Sequence, residues 1–294
     1  MNLSRLPVLD PLDRRLNAWR DDLADARLEG RVMAARFVTG RPATVAQPLV
    51  DLRREPRMDC GIDHQLLHGE PVEIFERSGD WAWVKAGIDG YVGWTAVSAL
   101  HETPFDASHR IIAPRTFVYP GPDLKIPHSY ALSMGSLVAI DGEAETRGTR
   151  YLQLAGGGFI VARHAAALDE LASDYVAVAQ GLMHTPYLWG GSSGFGIDCS
   201  GLVQLAMRMC GRTVLRDSDM QAASIGEEID PGKDWSNLQR GDLVFWRGHV
   251  GIVEGEGKLL HANGNTMDVT SEPLTAAIER IERLYALPTG CRRP

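Results

Sequence analysis

The stretch Tyr187-Leu-Trp-Gly-Gly-Ser-Ser-Gly-Phe-Gly-Ile-Asp-Cys199-Ser-Gly-Leu-Val-Gln-Leu-Ala-Met207 changes character at its cysteine. Before Cys199 it reads as a glycine- and serine-rich loop, in which missing Cβ atoms let backbone amides approach a ligand closely. After it, Leu202, Val203, Leu205, Ala206 and Met209 fall on a buried face, predicting a helix from about Cys199 to Cys210. A thiol that opens a helix lies at the positive end of the macrodipole, which is expected to lower its pKa. Cys199 is therefore the candidate nucleophile, and a nucleophile needs a base that is itself oriented by a third group.

Two histidines downstream can supply those roles. His249 opens the strand His-Val-Gly-Ile-Val, directly after Gly241-Asp-Leu-Val-Phe-Trp246, and His261 lies in Leu259-Leu-His-Ala. Strand alternation sends Leu260 and Ala262 to the face opposite His261. A turn at Gly255-Glu-Gly257 would place both histidines on adjacent antiparallel strands, giving a Cys199–His249–His261 set of nucleophile, base and orienter. Separations of 50 and 12 residues are unlike the short chelate spacings of zinc sites. Neither a metal nor a cofactor is expected. Gly190-Gly-Ser-Ser-Gly194 matches G-x-S-x-G formally, but no helix follows it at once as a serine elbow requires, and no phosphate-binding P-loop occurs.

Upstream of the loop, Ser173 is the expected cap of a helix carrying Val176, Ala179, Leu182 and Met183, ending before Pro186. Helices followed by strands near 242–247, 249–254 and 258–262 make an α+β pattern. Earlier still, Val50–Leu52, Pro71–Glu76, Trp81–Lys85 and Gly90–Trp94 are short β-rich runs separated by turns at Gly69, Ser78-Gly-Asp80 and Ile88-Asp-Gly90. Such spacing predicts a small barrel. The order Leu67-His-Gly-Glu-Pro-Val-Glu-Ile, Trp83-Val-Lys, Gly90-Tyr-Val-Gly-Trp94 recurs as Met134-Gly-Ser-Leu-Val-Ala-Ile, Tyr151-Leu-Gln-Leu, Gly158-Phe-Ile-Val161. That is an internal repeat of about 60 residues. Near the N-terminus Leu16, Trp19, Leu23, Ala26 and Arg27 follow helical spacing behind Asp10 or Asp13 as a cap.

The expected organisation is a helical arm over 1–44, barrels over 45–103 and 104–168, and an α+β domain over 169–294. The 294 residues hold 30 Lys and Arg against 38 Asp and Glu, a net charge of −8, without the basic footprint that nucleic acid or an anionic membrane requires. Four scattered cysteines form no disulfide framework, and Cys60, Cys210 and Cys291 read as packing residues. The charged N-terminal segment lacks an apolar signal core, so a cytoplasmic location is expected, with signal-less export as the alternative. A monomer is expected.

Gly69-Glu70, Trp81, Trp83 and Gly90-Tyr-Val-Gly-Trp94 resemble a bacterial SH3-like domain; the second copy lacks the tryptophans and matches less well. In order, "YLWGGSSGFGIDCSGLV", "GDLVFW", "HVGIV" and "LLHA" resemble the NlpC/p60 family of papain-like cysteine peptidases over about 175–290. With SH3-like repeats upstream, the layout resembles the γ-D-glutamyl-L-diamino acid endopeptidases. The resemblance implies two small all-β SH3-like barrels before a papain-like α+β catalytic domain. It also implies hydrolysis between γ-D-Glu and meso-diaminopimelate or L-Lys in free peptidoglycan peptides with an unblocked L-Ala. Glu70 and Tyr91 stand where such enzymes meet the substrate ammonium; a solvated turn residue and a barrel-core residue are the competing readings. Tyr187, Trp189, Asp198, Ser200, Asp217 and Ser218 match groove positions, Asp198 being a second candidate for the ammonium and Tyr187 a partner of the Cys199 amide at the oxyanion. A broader amidase or acyltransferase, or a non-catalytic binder of wall peptides, are the rival functions.

Overall fold

A computed structural model describes residues 12–103 and 105–294, so the candidate cap Asp10 lies outside the described residues. The chain divides into two compact units, Leu12–Leu171 with Ser193–Phe195, and Ala172–Ser192 with Gly196–Pro294.

The first unit is almost all β. A seven-stranded antiparallel sheet runs in the order Ile62–Leu67, Leu49–Arg53, Val92–Ala96, Trp81–Ala86, Pro71–Ser78, Arg41–Val45, Leu100–His101. The strands read from the sequence are all present, and Arg41–Val45 starts the barrel a few residues earlier than expected. Phe75, Trp83 and Trp94 form its aromatic core. Gly69 has φ +79°, and a Cβ there would lie 2.4 Å from the Leu137 carbonyl, so this turn requires glycine.

The helical arm is not what forms. Over the described part of 1–44 the regular elements are a 3-10 turn at Ala26–Leu28, the parallel strand pair Ala24–Asp25 and Phe37–Val38, and the start of the Arg41–Val45 strand. Asp13 and Asp25 accept backbone N–H groups two residues on, from Arg15 and Arg27, offering local turns in place of helix. Ala18 and Leu23 are buried in the tryptophan cluster, and the Arg20 guanidinium lies 4.3 Å from the Trp83 ring while pairing with Glu76. Short isolated helices are marginal in water, and this packing overrides the helical spacing.

Residues 105–171 repeat the grammar with smaller sheets around Ile111, Val118, Leu132, Val138, Leu152 and Ile160. The succession strand, 3-10 turn, strand occurs at Val92–Ala96, Val97–Ala99, Leu100–His101 and again at Phe159–Val161, Ala162–His164, Ala165–Ala167.

The second unit carries a six-stranded antiparallel sheet ordered Glu227–Ile229, Gly290–Arg293, Leu243–Trp246, His249–Gly255, Lys258–Asn263, Asp268–Pro273. Its helices are α1 (Tyr175–Gln180), α2 (Cys199–Met209), α3 (Ser218–Ser224) and α4 (Leu274–Leu284). Asp174, not Ser173, caps α1, accepting from the Val176 and Ala177 amides. Helix α2 is buried almost throughout and lies against the two adjacent strands that carry the histidines. Helix α4 packs Leu274, Ala277, Ile278 and Ile281 on Val244, Trp246, Val253 and Leu259. Among the described residues, no helix is long and apolar enough to cross a membrane.

Candidate active site

Cys199 is the first residue of α2, and the loop before it is held by one carboxylate. Asp198 caps the helix: its Oδ1 accepts from Gly201 N–H at 2.7 Å, Ser200 Oγ–H at 3.2 Å and Arg216 Nη1 at 2.9 Å. Its Oδ2 accepts from Gly190 N–H at 3.0 Å and Arg216 Nη2 at 2.6 Å. These five donors make Asp198 the anchor of the loop and of the first turn of α2. Ser200 joins the same network, donating to Asp198 and accepting from Arg216 at 2.8 Å.

Arg216 is the part of this lock that the sequence did not announce. It is 1% exposed and also donates to the Gly191 carbonyl at 3.2 Å. That carbonyl lies 2.3 Å from where a Cβ of residue 201 would stand, so Gly201 is required by the close packing of loop on helix. Here glycine serves contact between chain segments rather than ligand approach.

Cys199 is 6% exposed, its helix lies against the strand that His249 begins, and the amides of Val250 and Ser200 favour its thiolate. The helix-end expectation of a lowered pKa is reversed. Burial, then the Asp198 charge, pushes the thiol up to about 12, against the weaker pull of Arg216 and the two amides. Tyr187 is half-buried, and its hydroxyl is raised by desolvation first and then by the charges of Cys199 and Asp198.

The histidines form a relay. His249 Nε2 and His261 Nδ1 are 2.9 Å apart, and His261 Nε2 is 2.8 Å from Glu272 Oε1. Arg280 of α4 pairs with that same Glu272 oxygen. The Trp246 ring packs on His249 with centroids 5.5 Å apart. His261 donation, with the Arg280 charge behind it, holds the Glu272 carboxyl below the usual range. Burial pushes His249 down to about 3, reinforced by His261 and Arg280. The resting site thus holds a neutral thiol and a neutral base.

The remaining expected residues are less committed. Trp189 is 68% exposed, and Asp217 and Ser218 are half-buried at the start of α3. Glu70 and Tyr91 belong to the barrel unit, and both are buried, which removes the solvated-turn reading of Glu70. Tyr91 is fixed there by Asp89, which accepts its N–H at 3.0 Å, and by the His64 ring at 5.4 Å. Sequence reasoning missed Arg216, Glu272 and Arg280.

Residues 184–281 match the NlpC/P60 family, and residues 52–100 match the bacterial dipeptidyl-peptidase Sh3 domain. The dipeptidyl-peptidase 6 of Lysinibacillus sphaericus is 29% identical over 250 residues, covering 78% of this chain and 91% of that protein. A gamma-D-glutamyl-L-lysine dipeptidyl-peptidase of Bacillus subtilis (strain 168) is 28% identical over 242 residues, 75% of this chain and 78% of that one. An NlpC/P60 family protein from Bacillus cereus ATCC 10987 shares the fold with a TM-score of 0.69 at 21% identity, covering 86% of this chain and 99% of that chain. With a cysteine at the head of α2 and a histidine pair on the adjoining sheet, the chain carries an NlpC/P60 domain of the cysteine-peptidase type over 184–281, behind a bacterial dipeptidyl-peptidase SH3 domain over 52–100.

Proposed function

We propose that this protein is a cysteine endopeptidase that hydrolyses the bond between γ-D-Glu and the diamino acid of peptidoglycan-derived peptides, with Cys199, His249 and His261 as the catalytic set. The observation that carries the proposal is the buried Cys199 at the head of a helix that lies against the strand opened by His249, a histidine already paired to a second histidine. The relatives' names, both dipeptidyl-peptidases and one specifying γ-D-glutamyl-L-lysine, supply the substrate class.

The steps follow from the proton pattern. The Cys199 sulfur attacks the γ-carbonyl carbon of D-Glu as its proton passes to His249. The tetrahedral oxyanion is met by the α2 first-turn amide of Cys199 and the Tyr187 hydroxyl. The C–N bond then breaks, and His249 returns the proton to the departing amine of the diamino acid. Water attacks the thioester, giving its proton to His249, and the thiol leaves with that proton restored. His261 holds the His249 ring throughout.

The finer part of the proposal is a preference for a free amino-terminal L-Ala, attached by motif to Glu70 and Tyr91, together with two SH3-like modules spanning 45–103 and 104–168. Four free thiols suit action in a reducing cytoplasm on soluble wall fragments. A kinetic panel of L-Ala-γ-D-Glu-meso-diaminopimelate, its L-Lys counterpart and their N-acetylated forms tests this. Free peptides should yield L-Ala-D-Glu and the diamino acid. Acetylation should raise KM by about tenfold or more, the order expected when one charged hydrogen bond is lost. Equal cleavage of free and blocked peptides would point to a general wall hydrolase, and amide products formed with added amines would point to acyl transfer.

A further inference from the structure

We propose that Glu272 and Arg280 are positioning residues for this hydrolysis: the Glu272 carboxylate, held by Arg280, fixes the proton pattern of the histidine pair so that His249 presents a bare nitrogen to the thiol. The inference rests on the assignment of Cys199, His249 and His261 above and extends it by two residues from outside the quoted motifs.

Both histidines have two hydrogen-bonding nitrogens, and a neutral ring carries one proton. His261 has a side-chain exposure of 0%, so solvent does not choose its tautomer. Its Nε2 lies 2.8 Å from Glu272 Oε1, and an ionised carboxylate only accepts. The proton of His261 is therefore on Nε2, and Nδ1 is left as an acceptor. That acceptor faces His249 Nε2 at 2.9 Å, which must then carry the His249 proton. The remaining nitrogen of His249, Nδ1, is the unprotonated one.

The opposite pattern would place a bare His261 Nε2 against the Glu272 oxygen, two lone pairs facing at hydrogen-bond distance. Only a protonated Glu272 would permit it, and the Arg280 guanidinium opposes that protonation. In the opposite pattern His249 would turn an N–H toward the thiol and could not serve as its base. Glu272 thus decides whether the relay runs forward. During attack His249 becomes an imidazolium, and its positive charge faces an ordered line of His261 dipole, Glu272 anion and Arg280 cation. The charged or titratable groups in that line are His249 on His249–Gly255, His261 on Lys258–Asn263, Glu272 on Asp268–Pro273, Arg280 on α4 and Cys199 on α2.

The test uses the full chain with L-Ala-γ-D-Glu-meso-diaminopimelate, comparing wild type with Glu272→Gln, Glu272→Ala and Arg280→Met. Glu272→Ala should lower kcat by about 10–100-fold, the scale seen when the group orienting a functional histidine is removed, with KM changed less than about twofold. Glu272→Gln, which keeps shape and therefore fold, presents either an amide oxygen or an N–H, so its kcat should fall between the two. Imidazole 15N spectra should show His261 Nδ1 and His249 Nδ1 unprotonated in wild type and a mixed pattern in Glu272→Gln. Arg280→Met should move the acid limb of kcat/KM to higher pH, because the carboxylate loses its cation and protonates sooner. A protonated His261 Nδ1 in wild type, or full kcat in Glu272→Ala with only a lower melting temperature, would overturn the proposal and leave Glu272–Arg280 as a staple between strand and helix. Turnover that survives Cys199→Ala would instead remove the catalytic assignment on which the inference stands, a result separable from the first two.

Discussion

Cys199→Ala is expected to abolish release of diaminopimelate from L-Ala-γ-D-Glu-meso-diaminopimelate, with kcat down by about 10⁴-fold or more and the fold intact. A covalent route divides one hard hydrolysis into two easier steps, and without the sulfur neither step exists. Alanine at the first position of α2 keeps the Asp198 cap and removes only the sulfur. Product release followed by mass spectrometry checks this, and activity within tenfold of wild type would sink the assignment. Loss of His249 should be nearly as severe, since residues acting as one unit do not contribute additively.

The charge state of the pair gives a second readout. The thiol is pushed up to about 12 and His249 down to about 3, so both are neutral across the physiological range. Alkylation by iodoacetamide should therefore show a broad plateau in wild type, maintained by proton transfer to His249. In His249→Ala that plateau should vanish, and the rate should climb only as pH rises toward the thiol's own value. The histidine sign is consistent with this: a buried base whose pKa is depressed stays unprotonated until the pH falls far below the ordinary 6.5. An acid limb of kcat/KM near pH 6.5 would contradict burial as the controlling effect.

The chemistry-bearing triplet was legible because each member sits in a local pattern that implies its element: a glycine loop running into an apolar helix face for Cys199, and alternating strands for His249 and His261. The strands Leu243–Trp246, His249–Gly255 and Lys258–Asn263 follow that reading to within a residue or two. Helix α4 was not expected, although Leu274, Ala277, Ile278 and Ile281 carry i, i+3, i+4, i+7 spacing. Glu272 was not: it falls in Asp268-Val-Thr-Ser-Glu-Pro273, whose polar residues look like a solvated edge until the strand is paired with the one holding His261. The arm failed for the converse reason. Its helical spacing was real, but the partner that decides its structure, the Trp83–Trp94 face, lies sixty residues on, roughly.

Arg216 makes the same point with the largest expected cost in stability. It opens the run Arg-Asp-Ser-Asp-Met-Gln221, is 1% exposed and makes a two-point ion pair with Asp198, eighteen residues back in the chain. Removing one partner of a buried pair strands the other, at a cost of about 3–5 kcal/mol. Arg216→Met should therefore lower the stability of the Ala172–Pro294 region by that amount, read as faster hydrogen exchange of the α2 amides. Asp198→Asn added to Arg216→Met should recover part of the loss, because asparagine still caps α2 and no charge is left buried. Catalysis should separate from stability in this pair of variants. Arg216 opposes the Asp198 charge at the sulfur, so its loss alone pushes the Cys199 thiol further up and slows alkylation in the alkaline range. In the double variant the Asp198 charge goes as well, and alkylation should return toward the wild-type rate. Unchanged exchange at α2 in Arg216→Met would show that water reaches Asp198 and that the pair does not hold the nucleophile's helix.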